Sequence, residues 1–318
     1  MLRNGRPTPA RGPLTAGPME LVSLVGLALA TLAAVLLAVQ NVLIRIATDR
    51  GDVGDAVVVM MGVNLALVGP LAVVLHYPDY GLSWEAVGVF AAAGLAGLVF
   101  GRLCTFAGID RIGASRTTPV VSASALVSTV LAVWLLDESL TTAHVVGIAL
   151  IVVGVAVISW VTATDANADV SLRGVGLSLL FPVGAAAFVG IEPVLVRAGL
   201  GSGTPILVGL GVMMSTAFAS YVGYRKLRLD TLRVPVRSPH ARWYVGAGLA
   251  STIGLLAYFG ALASAPVVLV VPITHTAPLL VIGLSAVFLP RRLERVTWPL
   301  LAAALVVVIG ATLVSLSG

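Results

Sequence analysis

Residues 21–46 read LVSLVGLALATLAAVLLAVQNVLIRI, with no charged side chain before Arg45. The run is continuous and shows no two-residue alternation of apolar and polar positions, so it does not have the pattern of a half-buried strand. A helix needs about 20 predominantly apolar residues to cross a bilayer's hydrocarbon core. Backbone groups in lipid have to be satisfied within the segment or by a closed barrel, and barrel strands are short and alternating. The stretch is therefore read as a membrane-crossing helix.

The rest of the chain repeats this pattern. Its 318 residues are 58% hydrophobic and 10% charged, with mean hydropathy +1.05, against roughly 25% charged in soluble domains. Apolar runs at 21–46, 55–77, 85–108, 116–136, 143–162, 173–198, 204–224, 243–264, 267–289 and 297–316 predict ten helices and leave no room for a separate soluble domain. Polar turn-formers punctuate them: Asp49-Arg50-Gly51-Asp52, Tyr77-Pro78-Asp79-Tyr80-Gly81, Asp137-Glu138-Ser139 and 164–169. Residues 1–20, rich in Pro, Gly and Arg, read as a disordered tail, with Met19 an alternative start.

Charge and cysteine usage narrow the chemistry. The net charge of +5 comes from basic residues scattered between apolar runs, with no contiguous face for nucleic acid. Cys104 is the only cysteine, so no internal disulfide or cysteine metal cluster forms. His76, His144, His240 and His275 lack metal-ligand spacing, and there is no glycine-rich phosphate loop. No cofactor is expected, and catalysis of the soluble-enzyme kind has little to stand on. The basic residues act instead as topology signals: Arg45 and Arg50, Arg111 and Arg116, Arg173, the stretch from Arg225 to Arg242, and Arg291, Arg292 and Arg295 fall in alternate connections. The positive-inside rule puts those connections in the cytoplasm and both termini outside.

The chain also contains itself twice. Asn41-Val42-Leu43-Ile44-Arg45 matches Pro193-Val194-Leu195-Val196-Arg197, Phe106 and Pro119 match Phe259 and Pro272, and Glu138-Ser139-Leu140-Thr141 matches Glu294-Arg295-Val296-Thr297. The halves are 21–162 and 173–316. Five spans per half is an odd number, so the second copy enters the membrane upside down, an arrangement that places substrate sites near the midplane where the halves meet. The predicted fold is an all-α integral membrane protein, ten helices in a 5+5 inverted-topology repeat.

With these residues in view, the sequence resembles the drug/metabolite transporter superfamily in its ten-helix form with two EamA domains. The resemblance rests on Ala107-Gly108-Ile109-Asp110-Arg111-Ile112-Gly113-Ala114-Ser115-Arg116 running into Pro119, on Leu136-Asp137-Glu138-Ser139-Leu140-Thr141, and on Gly147 and Gly154. A weaker copy lies in Ala261-Leu262-Ala263-Ser264-Ala265-Pro266, Pro272, Ala303 and Gly310. The chain departs from the family in two places: His76-Tyr77-Pro78-Asp79 stands where members often carry basic residues, and Val39-Gln40-Asn41 where many place Trp-Gly. The resemblance implies a permease.

An ionisable group at mid-bilayer costs about 2.5–3.5 kcal/mol on insertion scales, so each one needs a reason. Glu192, in Gly190-Ile191-Glu192-Pro193, reads either as a proton- or cation-coupling carboxylate or as a paired group near the outer surface, with Pro193 loosening the helix beside it. Arg102 reads either as a fork for a substrate carboxylate or phosphate or as an arginine snorkelling to the cytoplasmic end. His275, within Thr274-His275-Thr276, reads as a proton relay or as an interhelical hydrogen-bonding group. By the repeat, His275 corresponds to Ser122, Glu192 to Gln40 and Tyr258 to Thr105. Glu192, Tyr258, His275 and Thr276 then lie toward one face, and Gln40, Asn41, Arg102 and Ser122 toward the other. Ser124 and Ser128 extend a polar stripe that lines a cavity or joins helices, Gly94, Gly97 and Gly101 suit close helix contact, and Glu138 and Glu294 read as caps of the helices they begin.

The leading expectation is a secondary active transporter in the cytoplasmic membrane, moving a small amino acid-like or drug-like metabolite by alternating access with a coupled proton or cation. Its partners are then that solute and the membrane lipids, with no nucleic acid. A membrane-embedded enzyme on lipid-linked substrates and a non-transporting scaffold remain the alternatives.

Overall fold

The computed structural model describes residues 18–48, 53–112, 117, 120–164, 178–229, 241–288 and 298–316. Among them all regular structure is helical: α1 (Pro18–Thr48), α2 (Val53–His76), α3 (Trp84–Ala93), a π-helical segment (Gly94–Gly101), α4 (Arg102–Ile112), α5 (Ser124–Leu136), α6 (Thr142–Thr164), α7 (Leu180–Gly201), α8 (Ile206–Leu229), α9 (Ala241–Ser264), α10 (Val267–Thr274), α11 (Ala277–Phe288) and α12 (Trp298–Leu316). Six stretches, 24–44, 57–76, 84–108, 180–201, 206–227 and 241–264, are long and apolar enough to cross a membrane. Shorter apolar stretches cover 120–136, 142–157, 267–281 and 305–314.

Three of the differences from the sequence reading have a clear local cause. Helix α1 begins at Pro18, inside the stretch read as tail, because proline's fixed φ suits a first helical turn where its missing N–H costs nothing. The run 267–289 is not one helix. It breaks at His275-Thr276, just after Pro272, and Thr274 and Thr276 turn their hydroxyls back to the carbonyls of Val271 and Ile273 at 2.8 and 2.7 Å. The run 116–136 breaks in the corresponding place, at Ala123. The remaining tail, the Gly113–Arg116 part of the motif, Pro119, Glu294 and most of the basic stretch after α8 lie outside the described residues.

Helices from the two halves interleave. Helix α1 packs on α9 as α3, the π segment and α4 pack on α7. Likewise α2 packs on α9 as α3 and the π segment pack on α8, and α1 packs on α10 and α11 as α5 packs on α7. Two further pairs, α2 with α8 and α6 with α12, are their own counterparts. This is the contact pattern of a pseudo-twofold axis, where residue i meets j′ and j meets i′. The crossing of α6 and α12 shows it directly: a Cβ on Gly147 would lie 2.7 Å from the Gly310 carbonyl oxygen, and a Cβ on Gly310 would lie 2.6 Å from that of Gly147.

Lipid offers no hydrophobic drive for helices to meet, so association rests on close packing and interhelical hydrogen bonds. One buried polar join is at Asn64 on α2, whose amide meets Ser251 Oγ at 3.2 Å and Thr252 Oγ1 at 2.9 Å on α9. Such bonds average about 0.6 kcal/mol in membranes, so the small-residue crossings carry more of the cohesion. Phe90 is fully buried, pressed between Gly199 and Gly209 and stacked on Phe259 with centroids 6.3 Å apart. All five tryptophans lie near helix ends, and Trp84, Trp134, Trp160 and Trp298 are exposed. This is the distribution of the aromatic belts that sit at membrane–water interfaces.

Candidate functional site

Glu192 lies near the middle of α7, just before Pro193. Proline has no N–H to give the Val189 carbonyl, so the helix loses one bond in the turn that carries the carboxylate. On the facing element the chain is π-helical from Gly94 to Gly101, a geometry found mostly as single turns and often at functional sites. The glycines there let α7 and α8 come close. A Cβ on Gly94 would lie 2.6 Å from the Met213 carbonyl oxygen, and one on Gly101 2.8 Å from Val189 Cγ2. At Gly97 the guest is the carboxylate itself: a Cβ would overlap Glu192 Oε2 and sit 2.5 Å from its Cδ. Glu192 is thus lodged on bare backbone.

Arg102 begins α4, directly after the π segment, and interacts electrostatically with Glu192 and with Tyr221 of α8. Tyr258 of α9, buried, interacts electrostatically with Glu192. Four elements therefore bring a carboxylate, a guanidinium and two phenols together, while Glu192 and Arg102 remain only half-buried. Opposite charges held near each other in this way compensate much of the cost of burial, and the pair offers complementary points for a solute or ion.

The other expected residues are arranged less uniformly. His275 and Thr276 stand at the break between α10 and α11, half-buried. Ser122, their counterpart, is buried beside the Ala123 break. Interrupted helices at matching positions in the two halves are where transporter folds place their sites. Gln40 is buried on α1, but its neighbour Asn41 is exposed, so the helix turns Gln40 inward and Asn41 away. Of the serine stripe, Ser128 Oγ donates to the Ala125 carbonyl at 3.0 Å, whereas buried Ser124 Oγ has no hydrogen-bond partner among the described residues. Tyr221 was not expected. The available signal was a phenol within an apolar run.

Glu138 does not cap the helix that follows it. That role belongs to Thr141 and His144, which bond reciprocally: His144 N–H donates to Thr141 Oγ1 at 3.3 Å, and Thr141 N–H to His144 Nδ1 at 3.1 Å. The Glu138 carboxylate reaches instead to the other half, where Oε1 accepts from Val267 N–H at 2.8 Å and Oε2 from Val268 N–H at 2.9 Å. On the same side Thr204 Oγ1 donates to the Gly81 carbonyl at 3.2 Å, and the Arg197 guanidinium donates to the Leu262 carbonyl.

Apolar helices, aromatic ends and two interleaved copies of one unit define a multi-pass integral membrane protein. The model of the EamA-like transporter family matches residues 24–160 and again 176–316, and the chain belongs to that family, as a two-EamA-domain member of the drug/metabolite transporter superfamily. Among solved structures, one protein crystal structure superposes over 94% of this chain and 97% of its own, with a TM-score of 0.74 at 20% identity; at that identity the likeness concerns the fold. No curated protein matches the sequence.

Proposed function

We propose that the chain crosses the cytoplasmic membrane ten times, as two oppositely threaded five-span halves, and carries a small organic solute by alternating access with a proton or cation coupled at Glu192. The single observation that carries this reading is the seat of Glu192, mid-helix, against the backbone of Gly97 and within electrostatic reach of Arg102 and Tyr258. A mid-membrane carboxylate is costly and marks ion or substrate pathways. The six long and four shorter apolar stretches supply the crossings. The arginine-rich connections put the termini outside by the positive-inside rule. His275, Thr276, Ser122 and Gln40 complete the polar lining in this reading, and Asn41, which faces away, drops out of it.

Arg102 suits an anionic group and Glu192 a cationic one, so a zwitterion such as an amino acid is the simplest solute. The test is pH change inside proteoliposomes on addition of a panel of amino acids and organic amines, for wild type and Glu192→Gln. Proton movement that appears in the wild type and is lost in the variant supports the coupling role. Equal proton movement in both removes Glu192 from it.

A further inference from the structure

We propose that Glu138 is a latch between the two halves, closing the face that carries the 137–141 and 265–266 connections and releasing when that face opens. The inference rests on the alternating-access reading and deepens it by naming what holds one gate. Three observations carry it.

The first is the bond itself. Both carboxylate oxygens are used, on the first two N–H groups of α10, at 2.8 and 2.9 Å, between residues 129 and 130 positions apart. Charged acceptors on helix N-terminal N–H groups make short hydrogen bonds about twice as strong as neutral ones. The second is that Glu138 has no local duty. The helix that follows is capped by Thr141 and His144, and the left-handed Asp137, φ 54°, is the C-cap that ends α5, its N–H on the Ala132 carbonyl. The third is position. Helix α10 packs on α5 of the other half and ends at His275, so the latch ties one half to a segment whose far end enters the proposed site. A second cross-half bond, Thr204 to Gly81, lies at the same face.

Opening this face requires α10 to leave α5, and that motion breaks the Glu138 bonds first. Weakening them shifts the population toward the state open at this face and, by the same shift, away from the state open at the other.

The shift is read with two thiols in full-length protein reconstituted in liposomes, using a membrane-impermeant maleimide applied to one face at a time. Native Cys104, on α4 in the part of its span facing the opposite side, reports one face. In a second background, Cys104→Ala, a Ser128→Cys substitution on α5 reports the latch face. Glu138→Gln is expected to raise labelling of the Ser128→Cys thiol from the latch face by roughly tenfold, the order of one charge-assisted hydrogen bond lost, and to lower labelling of Cys104 from the other. Glu138→Asp, which keeps the charge and shortens the arm, moves both in the same direction by less, and serves if the Gln variant does not fold. Labelling that stays unchanged at both thiols, or rises at both together as in a loosened fold, overturns the latch. If the thiols of the unaltered latch already react without preference for a face, alternating access itself fails, a result separate from any Glu138 effect.

Discussion

Replacing Gly97 with alanine separates space from chemistry at the centre of the molecule. Within a helix, Gly→Ala ordinarily stabilises by about 0.5–1 kcal/mol through backbone entropy. At position 97 the new Cβ falls on the Glu192 carboxylate, 2.5 Å from Cδ and 2.9 Å from Cγ. Ordinary carbon contacts begin near 3.5 Å, so Cδ has to retreat by about 1 Å. Overpacking of this kind costs about 1–3 kcal/mol, which exceeds the entropic gain. A displacement of about 1 Å at a working group lowers rates by up to about 100-fold. The control is Gly88→Ala on α3, where a Cβ meets nothing within 4 Å and the entropic gain stands alone. Thermal unfolding in detergent and solute-driven proton flux in proteoliposomes are measured for both. The reasoning holds if Gly88→Ala is neutral or more stable with full flux, while Gly97→Ala melts lower and loses tenfold or more of the flux. Indistinguishable behaviour of the two variants in both assays would refute it.

Two other substitutions probe the frame. Gly310→Ala places a Cβ 2.6 Å from the Gly147 carbonyl oxygen and 3.0 Å from the Ile151 amide; backbone cannot swing aside, and a loss of about 1–3 kcal/mol is expected in thermal unfolding, with an unchanged melting temperature arguing against a tight α6–α12 crossing. Asp137→Gly removes the cost of holding a side chain at φ 54°, a gain of about 1 kcal/mol, visible as a higher melting temperature; a lower one would show that the Asp137 side chain holds the turn.

How much of this was legible in the sequence depended on whether the information sat in side chains or in backbone. Gly94, Gly97 and Gly101 were readable as contact points, because small residues at helical spacing let helices approach closely in lipid. Glu192 and Arg102 were readable because a charge inside an apolar run stands alone. That the two interact was not, since they lie on different helices in different halves. The partner of Glu138 was beyond reach: it binds two N–H groups, which every residue but proline carries, so no residue type marked Val267 and Val268. The π-helical register of Gly94–Gly101 was hidden for a similar reason, as the glycines permit it without specifying it. The break at His275 was half signalled by Pro272, yet a proline inside an apolar run is as compatible with a kink as with an interruption.

The fold and the polar groups obey different symmetries, and that difference is what the proposed alternating access requires. The packing repeats almost residue for residue: Gly94 meets Met213 as Gly248 meets Val63, and Gly101 meets Val189 as Gly254 meets Leu36 and Leu37. A frame with that symmetry has two arrangements related by its axis, and if the copies were identical they would be equal in energy. The polar groups break the equality. In the repeat Glu192 corresponds to Gln40, Tyr258 to Thr105 and His275 to Ser122, and Arg102 stands where the second half has Leu255. Each charge therefore belongs to one copy, and under the proposed function a solute or proton bound there would stabilise one arrangement over the other. Because about 1.4 kcal/mol of differential interaction changes a population tenfold, a single displaced or neutralised carboxylate is enough to move the balance. In the proposed cycle the symmetric packing would let both arrangements exist, and the asymmetric charges would let a ligand choose between them.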